Sequence, residues 1–131
     1  KEIRKLQRQP TWLPLNSNTS PYGYEMIRGV NTNTVEVAHA PLSGFDGITT
    51  GAAALDAEGD MEVGVWEHSV GISTDTEVEE VFVVLAGSGK VTCDRGGEII
   101  LEPGVVGLLP SGAKTQWEIT EPLRKVWITL T

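Results

Sequence analysis

The feature that most constrains the fold is the close spacing of turn residues along the chain. Glycine- and proline-containing turns interrupt the apolar runs at intervals of roughly 8–12 residues, a spacing typical of β-sandwiches and barrels. Three clear examples are Ala86-Gly87-Ser88-Gly89, Glu102-Pro103-Gly104 and Pro110-Ser111-Gly112. No stretch has the apolar periodicity of a long amphipathic helix. The sequence therefore predicts an all-β domain built from short strands.

These turns divide the chain into an irregular segment and a strand-rich segment. Residues 1–34 are rich in Asn, Thr, Ser and Pro, and we interpret them as an irregular N-terminal arm. Residues 35–131 are predicted to form the β-domain. Its expected strands are Val35–Ala38, Ala52–Leu55, Met61–Glu67, Val78–Leu85, Lys90–Cys93, Glu98–Leu101, Val105–Leu109, Lys114–Ile119 and Leu123–Leu130.

The predicted strand Val78–Leu85 is apolar on both faces. Side chains alternate along a strand, so Glu80, Phe82 and Val84 share one face. The opposite face carries Val81, Val83 and Leu85. This pattern indicates a barrel wall whose outer face is covered by another layer or another subunit.

Several motifs in residues 61–131 resemble a known family. Glu80, followed by six residues and Gly87, is similar to the second half of the first cupin motif, and residues 104–112 are similar to the second motif. Gly64-Val65-Trp66-Glu67 and Glu121-Pro122-Leu123-Arg124-Lys125 further resemble small single-domain cupins of the cupin-3 type, which are related to (S)-ureidoglycine aminohydrolase and ethanolamine-utilisation cupins. The resemblance implies a double-stranded β-helix, a jelly-roll barrel with its site at the mouth.

The chain departs from the cupin pattern at the metal ligands. The family's metal is held by two His and a Glu of the first motif and a His of the second, a donor set that suits Mn, Fe, Ni or Zn. Counted from Glu80, the first two positions are Thr74 and Thr76, or Ser73 and Asp75 with the longer spacer. The third His position is Thr115. Hydroxyl groups are poor transition-metal ligands, so the usual three-histidine site is expected to be missing.

The candidate site residues lie on predicted barrel strands. Glu80 would point inward, either as a ligand-binding or acid–base group or as a structural carboxylate satisfied by Arg124, Lys125 or backbone. His68 would supplement Glu80 in a weak metal site or in proton transfer, although a half-exposed histidine at a strand end is the preferred interpretation. Trp117 shares a face with Thr115. The expected ligand-binding set is Glu80, Phe82, Trp66, Thr115 and Trp117, and ordinary barrel filling is the alternative for its aromatic members.

The remaining ionisable residues are interpreted more simply. Glu77 and Glu79 are expected to form a solvated acidic strand entry facing away from Glu80. His39, which precedes Ala40-Pro41, is expected in a loop. Arg124 and Lys125 are expected to stabilise the closing strand electrostatically.

Charge and cysteine content exclude several classes of function. The formal net charge is −8, and nine acidic residues without a basic one lie between Asp56 and Glu80. Such a surface repels phosphate backbones and anionic lipids, which argues against nucleic-acid and membrane partners. The single cysteine, Cys93, excludes an intrachain disulfide. The first eight residues lack the apolar region of a secretion signal. The single thiol fits a reducing compartment, and a cytoplasmic location is expected.

Three hypotheses about function follow. The first is a homodimeric cupin that binds a small organic molecule in the barrel without the three-histidine metal site; whether it catalyses a reaction is left open. The second is a metal-dependent hydrolase or isomerase of the ureidoglycine-aminohydrolase type that uses Glu80 and His68 with a divalent transition metal. The third is a structural or regulatory dimer with a filled barrel. No cofactor is expected under the first hypothesis.

Overall fold

The protein has an all-β fold. The computed structural model describes residues 27–56 and 61–130. Within these ranges there is no helix, and therefore no helix long and apolar enough to span a membrane. The eight strands are β1 (Ala40–Pro41), β2 (Thr49–Asp56), β3 (Met61–His68), β4 (Gly71–Thr76), β5 (Glu80–Cys93), β6 (Glu98–Leu101), β7 (Val106–Leu109) and β8 (Lys114–Leu130).

One antiparallel sheet contains all eight strands, in the order β1-β2-β3-β8-β5-β6, with β4 paired to β8 and β7 paired to β5. The first half of β8 pairs with β4 and with the end of β5, and its second half pairs with β3 and with the start of β5. The long strands β5 and β8 therefore each pair with different neighbouring strands along their two halves. The predicted separate strands 78–85 and 90–93 are one strand here, as are 114–119 and 123–130.

Gly87 allows β5 to bend where it crosses β8. The register between these strands shifts between Val84 and Gly89. Gly87 has a φ of 97°, and a Cβ there would lie 2.1 Å from the carbonyl oxygen of Pro122. Only glycine combines this backbone conformation with so close an approach. The glycine that follows Glu80 by seven positions is thus required by the course of the barrel wall.

The observed strands differ from the expected ones. Residues 35–38 are not a strand; Val35 and Val37 instead pack on the outer face of the sheet against Ala53, Leu55 and Val65. Conversely, β4 was not expected, because its sequence contains a single large apolar residue, Ile72. In the structure this side chain is 55% exposed. A strand with a polar inward face does not show the hydrophobic alternation from which strands are predicted.

The barrel interior holds the main core. Inward-facing aromatic and aliphatic residues from β3, β5, β6, β7 and β8 form a single cluster: Trp66, Phe82, Val84, Val91, Leu101, Leu109, Trp117, Ile119, Leu123 and Trp127. Residues 27–34, the described part of the predicted arm, contain no strand, and residues 1–26 lie outside the described ranges. The predicted alternation in Val78–Leu85 is observed from the first residue of β5 onward, with Glu80, Phe82 and Val84 buried.

Asp94 links the end of β5 to the start of β8 through a carboxylate. Its Oδ1 accepts a hydrogen bond from the backbone nitrogen of Lys114 at 3.1 Å. This bond is the main cause of a lowered pKa of Asp94. Desolvation opposes it in part, and the Cys93 hydrogen bond and the charges of Arg95 and Lys114 add smaller lowering effects. The ionised carboxylate therefore stabilises the folded state.

We expect Asp94→Asn to be less stable than the wild type at neutral pH and equally stable in strong acid. Because the folded-state pKa is below the unfolded one, this contribution is present above the ordinary value of 3.8 and is lost as pH falls through the folded-state pKa. Urea unfolding at about pH 7, 4 and 2 measures the difference. Asp46→Asn, which removes an exposed loop carboxylate, is the control. An Asp94→Asn effect that does not change with pH would contradict the assignment.

Candidate functional site

The structure places all six candidate residues inside the barrel. Alternation on three strands turns Trp66 and His68 of β3, Glu80 and Phe82 of β5, and Thr115 and Trp117 of β8 inward, and each is at most 5% exposed. The aromatic members are in contact. The Trp117 ring centroid lies 5.5 Å from that of Trp66 and 5.8 Å from that of Phe82, in edge-to-face and tilted arrangements that favour aromatic attraction.

A fully buried lysine occupies the centre of this aromatic group. Lys125 has no exposed surface, and its Nζ lies 4.8, 4.6 and 4.7 Å from the ring centroids of Trp66, Phe82 and Trp117. The same Nζ donates a hydrogen bond to Glu80 Oε2 at 2.5 Å. Glu80 is also buried, so this is an ion pair removed from water. Cation–π attraction and the carboxylate together offset the cost of burying the ammonium group.

Lys125, which was expected to stabilise the closing strand electrostatically, lies inside the barrel and forms an ion pair with Glu80. In β8 the inward positions are Leu123, Lys125 and Trp127, while Arg124 points outward. The interpretation of Glu80 as a structural carboxylate included Lys125 as a possible partner, and this contact is present. Strand alternation places Lys125 on the same face as Trp127, which would have predicted an inward side chain. The usual preference of lysine for the surface argues for the opposite direction.

Glu77, which was expected in a solvated strand entry, is a second buried carboxylate. It is 1% exposed, and its Oε2 accepts hydrogen bonds from Thr115 Oγ1 at 2.6 Å and from Trp117 Nε1 at 3.0 Å. Glu77 precedes β5, so strand alternation does not determine its direction. Backbone hydrogen bonds tie it to Gly112 and Ala113 in the turn before β8, and this holds its side chain over the inward face of β8.

His68 is buried rather than half-exposed, which corrects the preferred interpretation. It is 1% exposed, its Nδ1 lies 2.5 Å from the carbonyl oxygen of Ser69, and its Nε2 lies 2.8 Å from Ser73 Oγ. A carbonyl oxygen only accepts, so Nδ1 must carry a proton. In the neutral ring, Nε2 then accepts a hydrogen bond from the Ser73 hydroxyl group. The expected shared face of Trp66 and His68 is present, with their ring centroids 5.4 Å apart.

A separate polar cluster lies on the outer side of β3. His39, in a non-strand segment as expected, contacts Glu67 Oε1 through Nε2 at 2.7 Å and Thr49 Oγ1 through Nδ1 at 2.8 Å. Arg124 donates to Glu67 Oε2 at 2.5 Å and to the carbonyl oxygen of Val35 at 2.6 Å. An open depression of about 390 Å³ adjoins this cluster and is lined by Arg124 and residues 35–38. It lies on the opposite side of the wall from the buried site.

The residues at the cupin metal positions do not fit the family's metal. Of the two candidate pairs on β4, Ser73 and Asp75 face inward, and Ser73 is bonded to His68. Thr115 Oγ1 donates a hydrogen bond to Glu77, and Glu80 is paired with Lys125. No group of three His, Cys, Asp or Glu side chains in the described ranges is arranged to hold a metal ion. Only the carboxylate of the usual donor set is present, and an ammonium group already contacts it.

Glu80 and His68 are thus held by different partners, Lys125 and Ser73 respectively. In the described part of the chain, the buried polar groups beside the rings of Trp66, Phe82 and Trp117 include the side chains of Glu77, Glu80, Lys125, His68, Ser73 and Thr115. These groups can form hydrogen bonds with a small molecule and can stack against its flat or apolar parts.

The sequence also matches a family model. Residues 55–127, more than half of the chain, match the EutQ-like cupin domain. No curated protein sequence is similar enough to count as a match.

Solved structures with the same fold include two proteins of similar length. The EutQ protein of Clostridium difficile is 19% identical, with a TM-score of 0.71 over 86% of this chain and 91% of that one. A putative ethanolamine utilization protein Q from Salmonella typhimurium LT2 is 21% identical, with a TM-score of 0.68 over 95% and 97%. Ectoine synthase from P. lautus is 15% identical, with a TM-score of 0.56 over 62% and 63%. The resemblance in the motifs is confirmed, and the chain belongs to the family of EutQ-like cupin domains.

Proposed function

We propose that this cupin binds a small organic molecule inside its barrel, without the family's three-histidine metal site. The binding residues are Trp66, Glu80, Phe82, Thr115 and Trp117, joined by His68 and Glu77. A protein named ectoine synthase has the same fold, so the architecture is compatible with small-molecule chemistry.

The observation that carries this proposal is the number of polar groups inside the barrel. His68, Ser73, Glu77, Glu80, Thr115 and Lys125 are each at most 3% exposed. Burying polar and charged groups is costly even when they are paired, and well-packed apolar residues are often at least as stabilising. A barrel selected only for stability would be filled with aliphatic side chains. Buried polar groups beside aromatic rings are instead typical of binding sites.

The charges favour a particular class of ligand. Among the described residues, the interior holds the carboxylates of Glu77 and Glu80 and the ammonium of Lys125. Another carboxylate placed beside them would be repelled at low dielectric constant. Thr115 and Glu77 form a hydrogen-bonded pair next to the Trp117 indole. The site therefore suits a neutral or cationic compound with N–H or O–H donors and a flat apolar part.

A thermal-shift comparison tests this proposal. We expect neutral or cationic nitrogen compounds in a panel of nicotinamide, cytosine, choline and benzoate to raise the melting temperature, and benzoate to have no effect. Thr115→Val removes the hydroxyl beside Glu77 at similar volume and should weaken calorimetric binding by about tenfold or more. Thr74→Val, at an exposed position of β4, is the matched control and should bind as the wild type does. Binding that is unchanged in both Thr115→Val and Trp117→Phe would contradict the proposed site.

A structural or regulatory dimer with a filled barrel is the second candidate function, favoured by the outer face of the sheet. Val106 and Leu108 of β7 are 62% and 70% exposed. They lie opposite Val83 and Val81 of β5, which in turn lie opposite Val126 and Ile128 of β8. These six side chains form a continuous apolar stripe. A second copy using the same stripe would form a closed, symmetric contact.

We expect Leu108→Lys to convert a dimer into a monomer, because it places a charge at the most exposed point of the stripe. Sedimentation velocity at micromolar concentration measures the molecular mass. Thr74→Lys adds the same charge at an exposed position outside the stripe and is the control. A monomeric wild type, or a dimer that Leu108→Lys does not affect, would contradict this assembly.

The hydrolase hypothesis based on Glu80 and His68 stays a prediction.

A further inference from the structure

The buried Lys125 ammonium contacts Glu80, the one residue of the usual cupin metal-ligand set that this chain retains. Glu80 matches the family's carboxylate ligand, and its Oε2 lies 2.5 Å from Lys125 Nζ. Metal–carboxylate distances are about 2.0–2.2 Å for ions such as zinc. A metal bound to this oxygen would thus be brought against the ammonium group. Two cations on one buried carboxylate repel each other strongly, because the interior screens charge poorly.

The aromatic rings hold the ammonium group in this place. Its Nζ is within 4.8 Å of three ring centroids, from Trp66 on β3, Phe82 on β5 and Trp117 on β8. The faces of these rings attract a cation, and each ring is fixed by packing in the core. Lys125 itself lies opposite Trp66 on β3 and Val84 on β5 in the sheet register. The lysine is therefore part of the barrel wall and part of its core.

Two of the other ligand positions also carry groups that already have hydrogen-bond partners. The hydroxyl groups of Ser73 and Thr115 take part in short hydrogen bonds with His68 and Glu77. Neither needs a metal ion to satisfy it. In the described ranges, the cation beside Glu80 is thus the covalently attached ammonium of Lys125 rather than an exchangeable divalent ion.

We infer that the Lys125 ammonium replaces the metal ion as the fixed interior cation of this barrel, and that its presence excludes a transition metal from Glu80. This inference does not depend on whether an organic ligand binds. It concerns the cation that balances Glu80, and its test measures metal binding alone.

The test restores the missing ligands with and without the lysine. Ser73→His and Thr115→His together place two imidazoles at family positions beside the Glu80 carboxylate, a donor set that binds Ni²⁺ or Zn²⁺. A triple variant adds Lys125→Met, which keeps an unbranched side chain and removes the charge. We expect the triple variant to bind one equivalent of Ni²⁺ by calorimetry and elemental analysis. The double variant, which retains Lys125, should bind at least about 100-fold more weakly.

Equal Ni²⁺ affinity in the double and triple variants would overturn the inference. Near-ultraviolet circular dichroism checks that both variants fold. If either does not, Zn²⁺ titration of the wild type and of Glu80→Gln decides the question. Saturable binding of one equivalent by the wild type that is lost in Glu80→Gln would overturn the inference. The same weak or absent uptake in both proteins is the supporting result.

Discussion

Glu80→Gln is expected to lower the free energy of unfolding by about 3–5 kcal/mol, the cost of leaving one member of a buried ion pair without its countercharge. The side chains of Glu80 and Lys125 are both fully buried, and Nζ donates to Oε2 at 2.5 Å. Glutamine keeps the shape and one oxygen acceptor but not the charge. The ammonium group of Lys125 would then lose its charged partner and keep its contacts with the three aromatic rings. Equilibrium urea unfolding at neutral pH measures the change.

A matched control and a double variant separate this effect from a general loss of charge. Glu79→Gln changes the neighbouring, exposed carboxylate and should alter stability by less than about 0.5 kcal/mol. Adding Lys125→Met to Glu80→Gln removes the unbalanced charge and should recover most of the lost stability, because apolar replacements of buried pairs are often neutral or better. A double variant less stable than Glu80→Gln alone would show that the buried pair is not the source of the loss.

Trp127→Ala is expected to cost about 3–5 kcal/mol, the usual range for removing a large aromatic side chain from a core. Trp127 is fully buried and lies directly over Gly64 of the adjacent strand β3. A Cβ at Gly64 would lie 2.2 Å from the Trp127 ring, so Gly64→Ala should also be destabilising, by about 1–3 kcal/mol through overpacking. The two residues fit together, and each restricts what the other position accepts.

The combination of these changes should reverse the sign of the glycine effect. Without the indole ring, the methyl group added by Gly64→Ala meets no clash and partly fills the cavity. Replacing a glycine within a strand also favours the fold by about 0.5–1 kcal/mol. Gly107→Ala is the matched control. Its Cβ would instead lie 2.3 Å from the Phe82 ring, so it should stay destabilising in the Trp127→Ala background. Urea unfolding of the complete cycle measures these terms, and a Gly64→Ala cost that is the same in both backgrounds would refute the proposed packing.

Strand alternation was sufficient to predict part of the site. Glu80 and Phe82 were expected on one face of β5, and Thr115 and Trp117 on one face of β8, and all four are buried. Side chains two residues apart share a face whatever their chemistry. The motif glycine Gly87 was also recognised, and the structure shows that its positive φ and close approach to Pro122 require it.

Alternation did not predict the residues whose burial depends on distant partners. Glu77 lies just before β5, and backbone hydrogen bonds to the turn at Gly112 and Ala113 direct it inward. Lys125 occupies an inward position of β8, but its burial depends on three rings and a carboxylate from separate strands. His68 is enclosed with Ser73 on β4, a strand that has too little apolar character to be predicted.

The sequence by itself determined the fold class, the family and the loss of the histidine ligands, because turn chemistry, side-chain alternation and motif spacing are local properties of the chain. Only the tertiary structure decided that Glu80 is balanced by Lys125 and that Glu77 is hydrogen-bonded by Thr115 and Trp117. These pairings join residues 38 to 45 positions apart. They form only when barrel closure brings the strands together and removes the groups from water, because at low dielectric constant a buried charge must have a partner.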